Sequence, residues 1–157
     1  MFNHFTQDAR WVAHDGPQIA RELGDSSVEA EHLLVAIARR DDAAARVLHA
    51  AGLDEDAIVA ALVAETERSL AAVGVSADSL TFSPFVETPR FGRSAKWALE
   101  LALRIALERG DRRIGTGHVL LAILRAERGT VPRTLAIAGV DREALATEIR
   151  SSVVGRP

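Results

Sequence analysis

The chain has 157 residues, 48% of them apolar and 26% charged, with a formal net charge of −3 and no cysteine. The length suits one domain with a real core, and the charge argues against a nucleic-acid or membrane-surface footprint. The missing cysteines exclude disulfides, thiol nucleophiles and cysteine-ligated zinc.

The apolar spacing is helical almost throughout. Thr6 is placed to cap a first helix through Ala9, Val12, Ala13, Ile19 and Leu23 that stops at Gly24. Gly16-Pro17 falls inside it, and proline there predicts a kink or a break. A second helix is expected over about 29–39 with Leu33, Leu34 and Ile37 inward, and a third over about 43–51, ending at Gly52. A fourth starts after Asp54 and runs through Ile58, Leu62 and Val63 to about Leu70. Residues 71–90, with Gly74, Pro84 and Pro89, read as a linker. Its aromatics Phe82 and Phe85 are expected to pack back on the domain or to form a contact surface. Helices five to eight are expected over about 94–109, 116–125, 132–138 and 142–153, with Thr116 and Asp141 as caps. The tail 151–157 should fray.

The second set of four repeats the first. Residues 5–40 and 91–126 align without gaps at an offset of 86, with 13 identities in 36 positions. Chance would give about 3. Phe5 matches Phe91, Trp11 matches Trp97, Gly24-Asp25 matches Gly110-Asp111, and His32 matches His118. One extra residue later, Leu48 pairs with Leu135 and Gly52 with Gly139. Four short helices are too few to bury their own apolar faces, so the two units should pack about a pseudo-twofold axis. The expectation is an all-α, eight-helix single domain over 1–157, with repeat one at about 5–70 and repeat two at about 91–153.

No run approaches the roughly 20 apolar residues needed to span a bilayer. The start M-F-N-H-F-T-Q-D is not a secretory signal, so a cytoplasmic protein is expected. No serine or threonine comes with a recognisable base, and His4, His14 and His49 lack ligand spacing, so neither a catalytic triad nor a metal site is expected. His32 and His118 should tuck under their turns and donate to backbone. Trp11 and Trp97 read as core or half-buried packing, or alternatively as a partner surface.

The segments F-T-Q-D-A-R at 5–10, E-A-E-H-L-L-V-A-I at 29–37 and G-T-G-H-V-L-L-A-I at 115–123, with A-G-L and A-G-V closing the units, resemble the Clp N-terminal repeat. The resemblance covers nearly the whole chain and is closest to ClpC-type unfoldase N-domains. It implies a non-enzymatic module, without cofactor, that recruits protein substrates and adaptors to an unfoldase. No Walker A pattern G-x-x-x-x-G-K-[ST] occurs, so ATP hydrolysis by that route is not expected. The chain is either a stand-alone protein or an excised domain, and its divergence from the usual motif favours the stand-alone reading, an accessory or decoy for a ClpC-type unfoldase.

The resemblance also implies sites. A phosphoarginine pocket needs a carboxylate for the guanidinium and a helix N-terminus for the phosphoryl group. Thr6 matches the Thr of F-T and Glu31 the Glu of G-T-E-H, whereas copy two has Gly92 and Gly117 at these places. Glu29 and Ala30 replace the motif's Gly and Thr, and Glu29 places a negative charge where the phosphoryl should sit. Phe2, Phe91 and Lys96 match positions that line a groove for cyclic-peptide antibiotics in actinomycete relatives, or else Phe2 and Phe91 cover the seam between repeats. The alternative to all of these is a regulatory helical partner with no ligand pocket.

Overall fold

The computed structural model describes residues 2–79 and 88–154. Eight α-helices carry the chain: α1 (Gln7–Glu22), α2 (Ala30–Ala38), α3 (Ala43–Ala50), α4 (Glu55–Ala72), α5 (Arg93–Arg109), α6 (Thr116–Leu124), α7 (Thr130–Ile137) and α8 (Arg142–Ser152). Single 3-10 turns lie at Phe2–His4 and Ala77–Ser79.

The helix ends follow from local chemistry. The side chains of Thr6, Asp42, Asp54 and Asp141 each accept a backbone N–H from the first turn they precede. Gly24 follows α1 with a left-handed φ of 79°, which lets Asp25 N–H reach Ala20 O at 2.8 Å. Gly16-Pro17 does not break α1, which is one helix of 16 residues. Gly16 packs directly on Val28, so close that a Cβ would come within 2.8 Å of Val28 Cγ1. Thr116 is not a cap either. Gly115 holds that place, and the Thr116 hydroxyl donates to Asp42 at 2.6 Å. Val63 points outward, 51% exposed, because Ile58, Ala61, Leu62 and Glu65 form the inward face of α4.

The core forms around α2 and α6. From His32 onward α2 is buried, and all nine residues of α6 are. Helices apolar on every side belong in the centre of a domain. α1 packs on α2 and α5 on α6. The fourth helices cross over: α4 packs on α7 of the second repeat, and α8 on α3 of the first. Backbone pairing crosses as well. β1 (Ser27–Val28) pairs in parallel with β2 (Arg90–Phe91), with Val28 opposite Phe91. Phe5 pairs with Ile114 in the same sense. At the repeat offset these two pairs exchange, which is the signature of the pseudo-twofold axis. They are the only extended pairings among the described residues.

The C-terminal end does not fray as far as it is described. Val154 is 5% exposed within the core cluster, and Arg109 Nη2 donates to its carbonyl at 2.5 Å. Phe82, Phe85 and residues 155–157 lie outside the described residues.

Candidate functional site

The turns that open α2 and α6 are built alike. Glu29 N–H donates to His32 Nδ1 at 2.8 Å, and Gly115 N–H donates to His118 Nδ1 at 3.0 Å. A ring nitrogen that accepts cannot carry a proton, so the other nitrogen does. His32 Nε2–H donates to Asp25 at 2.8 Å and His118 Nε2–H to Asp111 at 2.9 Å. The rings therefore accept from backbone where donation was expected. Their acidic partners sit in the Gly-Asp pairs that recur in both copies, a signal already visible in the alignment. The hydrogen bond from His118 holds the Asp111 carboxyl below its ordinary range against a burial penalty, and Arg109 helps. Among the described residues no cluster of three metal-ligating side chains occurs.

The crossed pairing separates Thr6 from Glu31. Thr6 N–H donates to Ile114 O at 2.9 Å, and Thr6 Cγ2 lies 3.9 Å from where a Cβ on Gly115 would stand. Thr6 thus faces the turn opening α6. Glu31 lines a cavity of about 410 Å3 with Leu23 and Asp25, at the far end of α1. Sixteen helical residues, about 24 Å, lie between the two ends. Consequently the half with the hydroxyl has Gly117 where the motif has glutamate. The half with the glutamate has Gly92 where the motif has threonine. The Gly117 place is filled from the C-terminus: a Cβ there would come within 2.7 Å of Val153 and 2.9 Å of Val154.

Glu29 occupies the Gly92 place. A Cβ on Gly92 would fall 1.8 Å from Glu29 Oε1. The Glu29 carboxylate accepts from Ser94 N–H at 3.0 Å, from the Ser94 hydroxyl at 2.5 Å and from the Ser27 hydroxyl at 3.0 Å. In return Ala30 N–H donates to Ser94 Oγ at 2.9 Å. The N-termini of α2 and α5 therefore cap each other across the repeats. Burial works against ionisation of Glu29, but these donors outweigh it and hold its pKa below the ordinary glutamate range. Sequence reasoning flagged Glu29 for its charge and missed Ser94 as its partner, 65 residues away.

Glu31 behaves oppositely. Burial raises its pKa; its own backbone N–H and the His32 ring oppose this, and the carboxylates of Glu29 and Asp25 reinforce it. Its cavity also receives Glu65 and Glu67 and is floored by Leu62. Glu65 is held by Arg133 at 2.7 Å and Ser69 at 2.6 Å. The cavity is acidic and partly apolar, so it suits a cationic side chain with an aliphatic stem.

The hydrophobic candidates sit on the two cross-repeat pairs. Phe2 is half-buried, its ring edge-on to that of the buried Phe5 with centroids 5.2 Å apart. Phe91 is half-buried on the Val28 pair. Lys96 is exposed on the first turns of α5. Trp11 and Trp97 are 42% and 38% exposed, each on the outer face of the first helix of its repeat.

The model of the Clp repeat (R) N-terminal domain matches residues 4–88 and again 90–156. The chain is 32% identical over 152 residues to the chloroplastic chaperone protein ClpC1 of Oryza sativa subsp. japonica, covering 95% of this chain and 15% of that protein. It is 28% identical over 141 residues to the negative regulator of genetic competence ClpC/MecB of Bacillus subtilis, covering 89% of this chain and 16% of that one. The chain thus spans about a sixth of the curated relatives it matches. Among solved structures, the N-terminal domain of the chaperone ClpD from Arabidopsis thaliana superposes with a TM-score of 0.76 at 19% identity, covering 99% of this chain and 97% of that one. The Hsp104 N-terminal domain from Candida albicans follows the same fold, with a TM-score of 0.66 at 18% identity, covering 94% and 89%. With both units matched along nearly its full length and folded as a crossed pair, this chain belongs to the Clp repeat N-terminal domain family.

Proposed function

We propose that this domain is a non-enzymatic docking module of the Clp system in the cytoplasm. It binds protein substrates or adaptors, as an accessory to a ClpC-type unfoldase or as a decoy for it. The observation that carries this reading is the acidic cavity around Glu31, in which Asp25, Glu65 and Glu67 surround a partly apolar floor. Such a cavity receives the guanidinium and stem of a substrate arginine. A phosphoryl group fits poorly, because the nearby α5 N-terminus already holds the Glu29 carboxylate and Thr6 stands at the opposite end of α1. Plain arginine is therefore the better ligand here, and phosphoarginine the weaker one. Calorimetric titration with an arginine-containing peptide and with free phosphoarginine tests this. Glu31→Gln should abolish peptide binding. A preference for phosphoarginine, or binding that survives Glu31→Gln, would sink it.

A second site stands on Phe2, Phe91 and Lys96, supported by the half-buried rings at the two cross-repeat pairs. Titration with a cyclic-peptide antibiotic, repeated in Phe2→Ala and Phe91→Ala, checks whether these residues form one groove. Silence in both titrations favours a regulatory partner that binds through helix faces alone.

A further inference from the structure

We propose that the groove beside Trp97 docks an acidic segment of a partner protein, with its carboxylates on Arg93, Arg125 and Arg128 and an apolar side chain on the exposed indole. The groove encloses about 750 Å3 between the start of α5 and the α6–α7 connection. That volume holds a few residues of extended peptide. Arg93, Arg125 and Arg128 have no hydrogen-bond or ion-pair partner among the described residues. Two carboxylates line the same groove. Glu29 is committed to Ser94 and Ser27, which leaves Glu127 as the single free acid against three free guanidinium groups.

The first repeat is an internal control. Arg39, the counterpart of Arg125, is held by Glu22 and Glu55 at 2.6 Å each, and Arg40 is held by Asp8 at 3.0 Å. In the second repeat Ser94 stands where Asp8 stood, Arg142 where Glu55 stood, and Arg93 where Gln7 stood. Glu108, the counterpart of Glu22, remains but makes no ion pair with Arg125. The connection after α2 carries Asp41 and Asp42 beside its two arginines, whereas that after α6 carries Glu127 with Arg125 and Arg128. The same scaffold thus neutralises its arginines in one copy and leaves them free in the other, next to a tryptophan that is 38% exposed. Planar guanidinium groups bind carboxylates in bidentate fashion, and Trp is enriched where partners are anchored. A nucleic-acid backbone is the poorer fit: the whole chain carries a net charge of −3, and one short groove cannot track a strand. This goes beyond the Glu31 cavity, whose charge selects the opposite ligand.

The test uses Trp11→Phe protein, so that Trp97 alone reports. Its emission is titrated with a short peptide alternating glutamate and leucine and with the lysine–leucine counterpart. Expected are saturable binding of the glutamate peptide, weakening at high salt, and at least about a tenfold loss in Arg93→Glu/Arg125→Glu, equivalent to about 1.4 kcal/mol. Glu31→Gln should leave this titration unchanged, which separates it from the arginine cavity. Arg93→Glu favours the first turn of α5 whereas Arg125→Glu opposes the end of α6, so an unchanged circular-dichroism spectrum and melting curve of the double variant are required to show that the fold is kept. Equal binding of the lysine peptide, an unaffected double variant, or tighter binding of a single-stranded oligonucleotide overturns the proposal.

Discussion

Replacing Glu29 by alanine should loosen the contact between the two repeats. The substitution removes the acceptor of three hydrogen bonds: Ser94 N–H at 3.0 Å, the Ser94 hydroxyl at 2.5 Å and the Ser27 hydroxyl at 3.0 Å. Bonds to a charged acceptor are worth about 1.5–3 kcal/mol each when buried, and less where water screens them, as here. The Ser94 N–H is also one of the free donors at the start of α5, and Gly92 offers no side chain to cap it. Losing a cap costs about 0.5–2 kcal/mol. Since Ser27 and Ser94 can turn to water, the net loss should be about 2 kcal/mol. For a domain of this size that lowers Tm by about 4–8 °C. Thermal unfolding followed by circular dichroism at neutral pH measures it, with Glu29→Gln as the intermediate case because it keeps the shape and loses the charge. The folded pKa of Glu29 lies below its ordinary value, so this stabilisation is present above the ordinary glutamate range. It is lost as pH falls through the folded value, and the gap between wild type and Glu29→Ala must close in acid. A Tm within about 1 °C of wild type, or a gap that persists in acid, would refute the reasoning.

Gly92→Thr should be destabilising alone, because its Cβ would meet Glu29 Oε1 at 1.8 Å and push the carboxylate off Ser94, and much less so in a Glu29→Gly background; a double-mutant cycle by denaturant unfolding reads the coupling, expected at about 1–3 kcal/mol. The Glu29→Gly variant should also bind inorganic phosphate at the freed α5 N-terminus, seen as a rise in Tm with phosphate that wild type lacks. Asp111→Asn should cost about 1 kcal/mol at neutral pH; because His118 holds the Asp111 pKa down, the deficit should vanish as pH falls through the folded value, which unfolding curves against pH will show. Gly117→Glu should expel Val153 and Val154 from their seats at 2.7 and 2.9 Å and cost about 1–3 kcal/mol, with faster tryptic cleavage after Arg150 as the readout.

The helices were legible because their signals are local. Thr6, Asp54 and Asp141 announce the ends they cap, and the apolar runs of α2 and α6 announce the centre. The alignment of Trp11 with Trp97 and His32 with His118 disclosed two units. It could not disclose that they exchange edges, since a repeat is silent on whether a segment pairs within its own unit or across. That is why Thr6 and Glu31, close in the motif, lie at opposite ends of α1. Of the Gly16-Pro17 expectation, the break does not occur: α1 continues through Pro17, and Gly16 packs on Val28, a contact that no helical pattern reveals. The expected fraying does not hold as far as Val154, because Val153 and Val154 find a socket opened by Gly117 that no local signal announces. The histidines were half-read. Their burial was expected, but the Asp partners belong to turns seven residues upstream.

The Glu31 cavity and the Trp97 groove are each walled by both copies, so a substitution in either half reshapes one recess and leaves its counterpart untouched. A symmetric dimer of a single unit lacks that freedom, because any change would appear twice. With the units joined in one polypeptide, Glu29 fills the space beside Gly92 on one side while the terminal valines fill the space beside Gly117 on the other. The two faces of one scaffold thereby carry opposite electrical character.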